Sequence, residues 1–288
     1  MKQNKPTKAN KAKGEKKGEK ADAMPTTQKE TSVNDVSGQQ IDGTQLKPGL
    51  YVIATPIGNM EDMTFRAVRY LKSVDALATE DTRVTAKLLA NFGITKPNPT
   101  FSCFEHNEAR ALSRIRSLVE DGKAVGLVSD AGLPGISDPG FKIISTMLDE
   151  GIYVEVIPGA NAATMGLVAS GLGMASFTFL GFPSRKGGKR KSALEAEREN
   201  PHTIVLYESP HRIGALLQDA FDVLGDRKAV VALELTKKFE RFRRGTLSEL
   251  TVAFADEKPK GEITVIIEGM VRVPRKKENK YREESIKD

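Results

Sequence analysis

Two carboxylates, Asp130 and Asp138, bracket a run that reads Asp-Ala-Gly-Leu-Pro-Gly-Ile-Ser-Asp-Pro-Gly from 130 to 140. Glycine admits positive φ and close backbone approach, and proline fixes the chain path. A loop of this kind offers amides and carbonyls to a ligand rather than a nucleophile. A second cluster is Glu80-Asp81-Thr82-Arg83. Glu80 or Asp81 could accept a proton, and Arg83 could orient them or hold a phosphate. The same trio could equally cap a helix and close an ion pair, since Asp is common at helix starts. His106 is a further candidate base, with an intrinsic pKa near neutrality. Its competing role is a hydrogen-bonded loop histidine at a helix start, where a cation is disfavoured. A dense basic run, Arg185, Lys186, Lys189, Arg190 and Lys191, surrounds Gly187-Gly188. It reads either as a mobile loop gripping RNA phosphates or as a solvated linker and helix start.

These residues need elements to position them. Hydrophobic periodicity predicts strands over 50–54, 76–79, 100–102, 124–129 and 154–157. Helices are predicted over 64–73, 82–91, from a cap at Asn107 to Gly122, 141–150 and 160–170. Such a βα repeat predicts a mostly parallel sheet covered on both faces. A second unit has strands over 177–180, 203–207, 230–234 and 263–268, with helices near 190–199, 212–224 and 247–255. The expected boundary falls near 171–176, giving domains 47–172 and 173–270. In the first unit every strand runs into a polar or glycine-rich loop, beginning at Thr55, Glu80, Phe104, Asp130 and Pro158. In a parallel sheet those loops share one edge, where α/β proteins bind ligands.

Composition removes several alternatives. The chain has 288 residues, enough for one large or two modest domains, and 39% are hydrophobic. Its apolar stretches are too short to span a membrane as a helix. Cys103 is the only cysteine, so an internal disulfide and a multi-thiolate zinc site are excluded. It reads as a buried small residue, and a reducing, cytoplasmic location is expected. The three histidines, His106, His202 and His211, lack metal-site spacing, and no metal is expected. The first 20 residues hold eight Lys and two Glu, which accounts for the whole net charge of +6. Residues 1–46 have too few large apolar side chains to offset ordering entropy, so a disordered basic tail is expected. That tail reads as an arm that raises RNA affinity, as a solvated extension, or as the product of an upstream start codon with Met24 as the real start. It has no apolar run for a signal peptide, and no Arg precedes Arg66. Residues 271–288 form a weaker basic tail. Neither a GxGxxG after the first strand nor a Walker A motif is present, so a standard NAD or NTP site is poorly supported.

Eight motifs then occur in order: TPIGN (55–59), EDTR (80–83), EHNE (105–108), VSDAGLPGISDPG (128–140), PGANA (158–162), YESPHR (207–212), ELTK (234–237) and KGE (260–262). Together, over about 48–270, they resemble the tetrapyrrole methylase superfamily, and within it the 16S rRNA (cytidine-2′-O)-methyltransferase branch. The resemblance implies two α/β domains, the second with a mixed sheet, and S-adenosylmethionine in the cleft between them. It implies a homodimer and 2′-O-methylation of a cytidine in the decoding region of 16S rRNA within the small ribosomal subunit. By matching position, the cofactor would contact Pro56, Gly58 and Asn59. It would also contact Asp130, Ala131, Gly132, Pro134, Ser137 and Asp138, then Pro158, Gly159, Ala160 and Ala162, and finally Tyr207 and Glu208. Glu80, Asp81, Arg83 and His106 would be the catalytic candidates. Leu133, Ala160 and Leu233 stand where the family commonly has Thr, Pro and Arg. Arg241, Arg243 and Arg244 alternate like one face of a strand and could extend a basic surface.

Two rivals remain open. One is a small-molecule methyltransferase of the same superfamily acting on a tetrapyrrole carbon. Those members favour a GxGxGD-type first loop, where this chain has TPIGN, and Phe179, Phe182 and Tyr207 are few aromatics for a macrocycle. The other is a non-catalytic RNA-binding module, against which the intact glycines and carboxylates speak.

Overall fold

The computed structural model describes residues 34, 42–257 and 259–271. The expected basic tails lie almost wholly outside the described residues. The first sheet contains β1 (Gly49–Ile53), β2 (Ala76–Thr79), β3 (Thr100–Ser102), β4 (Ala124–Val128) and β5 (Val154–Ile157). Its order is β3-β2-β4-β1-β5, and every pairing is parallel. The helices between them are α1 (Phe65–Ser73), α2 (Thr82–Asn91), α3 (Glu108–Glu120), α4 (Phe141–Asp149) and α5 (Ala162–Ser170). β1, β2 and β4 are buried along their whole length, as continuous apolar runs must be when helices cover both faces. Tyr51 and Ile53 face a core with Val68, Leu71 and Leu89 from α1 and α2. Leu50 and Val52 face the opposite core with Ile115, Ile143 and Met147 from α3 and α4.

The second sheet contains β6 (Phe177–Gly181), β7 (Thr203–Glu208), β8 (Lys228–Leu233), β9 (Arg241–Thr246) and β10 (Ile263–Ile267). Its order is β6-β7-β10-β8-β9. β6 and β7 are parallel and the other pairs antiparallel, so the sheet is mixed, as expected. Helices α6 (Gly187–Ala196), α7 (Ile213–Leu224) and α8 (Leu247–Ala253) cover one face, around Leu206, Val231 and Val265. The other face is covered by α5. Ala163 and Leu167 pack on Val205, Val230, Ala232 and Ile266. The fifth βα repeat therefore lends its helix to the second sheet.

Arg241–Thr246, whose arginines were expected to sit on a strand, is the sheet edge strand β9. Two local expectations are corrected. Asn107 does not cap α3 with its side chain; its Oδ1 accepts the Phe104 N–H at 2.8 Å, and its Nδ2 donates to Ser102 O at 3.1 Å. The helix expected near 190 begins at Gly187, so Lys189, Arg190 and Lys191 lie in its first turns, while Arg185 and Lys186 precede it.

Candidate functional site

β1 and β4 are neighbours, and their carboxyl ends are tied together. Thr55 N–H donates to Gly132 O at 2.8 Å, and Gly132 N–H donates to Thr55 O at 3.1 Å. From there the 130–140 loop curls through positive φ at Gly132, Gly135, Ser137 and Gly140. Three of these are the glycines such a path favours; Ser137, at φ 65°, is not, and holds an uncommon backbone shape. Gly135 N–H bonds Pro139 O at 3.2 Å, and Gly140 N–H bonds Glu108 Oε1 at 2.7 Å. Glu108, in the EHNE motif, thus anchors the end of the loop.

This loop forms one wall of a cavity of about 260 Å³. The opposite wall is the edge of the second sheet, where antiparallel pairing sets Ile263 beside Glu208. Asn161 and Ala162, at the start of α5, form the base, and Phe182 stands at the rim. Of the residues assigned by resemblance, Ala131, Gly132, Ser137, Asp138, Ala162, Tyr207 and Glu208 line the cavity. Pro56, Gly58, Asn59, Asp130, Pro134, Pro158, Gly159 and Ala160 are not among its lining. Several of these have visible structural work. Asn59 accepts the Glu61 N–H at 3.1 Å and caps a short turn. Gly159 runs so close to Ala54 that a side chain there would press on it. Ala160 packs into the core under α5. Sequence reasoning missed Ile57, Ser209, Pro210 and Gly261–Thr264 as lining. The KGE motif was the available signal for the last group, but its place at the cavity depends on β10 inserting between β7 and β8.

The electrostatics separate the acids. Burial, then the Glu80 charge, pushes the Asp138 carboxyl up to about 7; Ser129 opposes the shift, and Asp130 and Glu262 add to it. Burial also raises Glu80, whose Oε2 accepts the Asp130 N–H at 3.2 Å. Asp130 Oδ1 accepts the Asp81 N–H at 3.0 Å, so two strand-end loops are stitched together. Asp81 is the opposite case. The Arg83 guanidinium, 2.7 Å away, holds its carboxyl down at about 2, and it also accepts the Arg83 N–H at the start of α2. The cap-and-pair geometry is therefore fully formed, and Arg83 is highly exposed. His106 sits exposed in a short turn outside the cavity lining.

Glu208 is 2% exposed. Arg212 reaches its Oε1 at 2.5 Å, and the Ser209 N–H also bonds that oxygen. Burial nevertheless raises its carboxyl, and Oε2 has no hydrogen-bond partner among the described residues. The side chain is fully covered, so this unpaired oxygen is a buried cost of the Glu208–Arg212 pair rather than part of the cavity surface. Burial pushes Tyr207 up to about 12; its hydroxyl accepts the Ala163 N–H at 3.0 Å, tying β7 to α5.

The basic run needs a correction. Arg190 is turned inward, 7% exposed, with Nη2 2.5 Å from Asp219 Oδ2. It is a structural ion pair and is not available to grip RNA. Lys191 pairs with Asp222 at 2.9 Å and Asp219 at 3.3 Å. Arg185, Lys186 and Lys189 are exposed.

The sequence profile of the tetrapyrrole (corrin/porphyrin) methylases matches residues 49–251. The chain is 46% identical over 223 residues to ribosomal RNA small subunit methyltransferase I of Halalkalibacterium halodurans, covering 77% of this chain and 76% of the relative. It is 47% identical over 220 residues to the Bacillus subtilis protein of the same name, covering 76% and 75%. In fold it resembles uroporphyrin-III C-methyltransferase from Thermus thermophilus, solved in complex with S-adenosylhomocysteine. That likeness has a TM-score of 0.53 at 19% identity, over 76% of this chain and 96% of the other. The chain belongs to the tetrapyrrole (corrin/porphyrin) methylase family.

Proposed function

We propose that the chain transfers a methyl group from S-adenosylmethionine to the 2′-hydroxyl of a cytidine in the decoding region of 16S rRNA. The observation that carries this assignment is the cavity between the two sheets, walled on one side by the left-handed 131–138 loop. The relatives at 46% and 47% identity are named as small-subunit rRNA methyltransferases, which supports the substrate. The residues present fit the cofactor. Its ammonium, hydroxyl and amino donors suit the loop carbonyls and acids on the lining, and its acceptor atoms suit the amides of a left-handed loop. The 131–138 loop and Ala162 would hold it. When bound, it supplies a methyl group already activated on sulfur.

The remaining work falls to the chain. Ile57, Ile136, Phe182 and Tyr207 give the cavity apolar lining. A positioned base would contribute about 10²–10⁴-fold. Asp138 suits that task best: it lines the cavity, and its carboxyl titrates near neutrality. Glu80 supports it by repulsion. Asp81, clasped by Arg83, is the weaker base. The proposal includes a homodimer in the cytoplasm; the exposed Phe141 and Leu148 of α4 and Val168 of α5 offer apolar surface for a second copy.

The test is methyl transfer from labelled S-adenosylmethionine to small subunits lacking the modification, naked 16S rRNA and a tetrapyrrole in parallel. Label on a ribose 2′-oxygen of a 16S cytidine is expected. Label on the macrocycle alone would move the chain to the tetrapyrrole branch. Absence of cofactor binding would overturn the cavity assignment. Light scattering at micromolar concentration checks the dimer, which a monomer mass would refute.

A further inference from the structure

Beside the cavity lies a shallow ledge lined by Phe182, Pro183, Ser184 and Arg185 on one side and by Ser209, His211 and Arg212 on the other. Phe182 and Ser209 belong to both, so the ledge is continuous with the cavity mouth. Its two segments follow the parallel neighbours β6 and β7, which end at the same edge.

The ledge is built on a partly buried and a buried cation. Arg212 donates through Nη1 to Pro183 O at 3.3 Å and pairs with Glu208 through Nη2, so one guanidinium pins both segments. Arg190 donates through Nη1 to Ser184 O at 3.3 Å while Nε bonds Asp219 at 2.8 Å. This frame holds a surface of different character. The Phe182 ring is 56% exposed, yet it is fixed against Tyr207, with centroids 5.5 Å apart and planes tilted by 58°. Arg185 and His211 are exposed beside it. Among the described residues, no carboxylate lines the ledge. The Glu208 charge behind it is fully covered and answered by Arg212.

The cavity next door has the opposite sign. Asp138 and Glu262 line it, with Glu80 and Asp130 behind. An anion is repelled there and attracted to the ledge, whereas a neutral hydroxyl that must lose a proton is favoured inside. A ligand matching both sites carries phosphate next to a hydroxyl, with a flat ring to cover an exposed aromatic face. Single-stranded RNA has all three features.

We infer that this ledge is a binding seat for an RNA nucleotide flanking the target, its base stacked on Phe182 and its phosphate held by Arg185 and His211. The inference rests on the rRNA assignment above and names the strand path into that same cavity. It also replaces the basic run as the RNA contact: Arg190 becomes a brace, and Arg185 is the member of that run on the ledge.

The experiment uses the full chain and a fluorescein-labelled oligocytidylate hexamer. Anisotropy titrations compare the wild type with Phe182→Leu, Phe182→Tyr, Arg185→Gln and His211→Ala. Methyl transfer to unmodified small subunits and cofactor affinity are measured for each protein. Phe182→Leu is expected to weaken hexamer binding roughly five-fold or more, from the loss of one stacked base, and Phe182→Tyr to restore it. Arg185→Gln should reduce the slope of log Kd against log salt by about 0.7, the value for one single-strand phosphate contact. Arg185→Gln and His211→Ala should raise the KM for subunits while cofactor affinity stays unchanged. If the wild type methylates rRNA and these variants match its KM and Kd, the ledge is refuted and the rRNA assignment stands. If the wild type transfers no methyl group but binds the hexamer through Phe182 and Arg185, the ledge stands and the assignment falls. If it does neither, both fall.

Discussion

Lys237 lies across Gly58, so that the ELTK turn of the second sheet rests on the TPIGN turn of the first. Any side chain at position 58 would overlap the Lys237 methylenes, and the φ of 154° there also favours glycine. The ammonium beyond meets Glu234 Oε1 at 3.0 Å and Glu262 Oε2 at 3.1 Å. Glu262 lines the cavity, so a glycine in one loop makes room for a cation that positions an acid in another. Glu234 and Thr236 have positive φ although neither is glycine, a strained path that delivers Lys237 to this place.

Replacing Gly58 with Ala should cost about 1–3 kcal/mol, because an added methyl must displace a packed side chain. In a Lys237→Ala background the same change should cost clearly less, since the obstructing methylenes are gone. Chemical denaturation of the four proteins measures this. Equal costs in both backgrounds would show that the φ requirement alone keeps glycine there.

Asp138 should give the enzyme its pH response. Its carboxyl is raised from 3.8 to about 7 by burial and by Glu80, with Asp130 and Glu262 contributing. The folded chain therefore binds a proton that the unfolded chain releases. Its stabilising contribution is full below the ordinary value and is lost as pH rises through about 7. Activity should run the other way, rising through about 7 as the carboxylate forms. Asp138→Asn should lower kcat by about 10²–10⁴ and flatten the rising limb. It should also remove the fall in melting temperature across the same range. A variant that keeps the limb and changes only cofactor affinity would make Asp138 a binding residue and leave Glu80 as the base.

The parallel sheet was legible because short apolar runs alternate with helical segments along the chain, a pattern set by local residue types. The loop at 130–140 was legible as a ligand wall for the same local reason. Long-range pairing was not. Gly261–Thr264 reach the cavity only because β10 inserts between β7 and β8, a fact that no local pattern contains. Likewise α5 reads as the last helix of the first repeat, yet small residues along it let it pack on the second sheet: Gly166 leaves no room for a side chain against Thr264. Arg190 looked like its basic neighbours because charge is visible in sequence and direction is not. Its partner Asp219 lies 29 residues away on α7.

Glu208 and Arg212 should respond unequally to substitution. Arg212→Ala strands a buried carboxylate and frees Pro183 O, so a loss of about 3–5 kcal/mol is expected in denaturant unfolding. Glu208→Gln keeps the hydrogen-bonding outline and removes the charge, so its cost should be smaller. Cofactor affinity, measured by calorimetry, should change little, because this side chain is fully covered and does not reach the cavity surface. A large loss of affinity in Glu208→Gln would show that the cofactor does reach this oxygen.

Arg190 and Arg185 are five residues apart in one basic run, and the fold gives them opposite duties. Arg190→Ala removes the buried partner of Asp219, whose side chain is 12% exposed, and cuts the brace to Ser184 O. Lys191, 3.3 Å from the other Asp219 oxygen, compensates in part from a half-exposed position. A loss of about 3 kcal/mol is expected, at the lower end for breaking a buried pair. Arg185→Ala exposes no buried charge and should stay within about 0.5 kcal/mol of the wild type. Activity should separate them in the other direction. Folded Arg190→Ala, assayed well below its melting point, should respond to salt with the wild-type slope, whereas Arg185→Ala should show a reduced one. Equal stability losses in the two variants would mean that the inward turn of Arg190 is not maintained in solution.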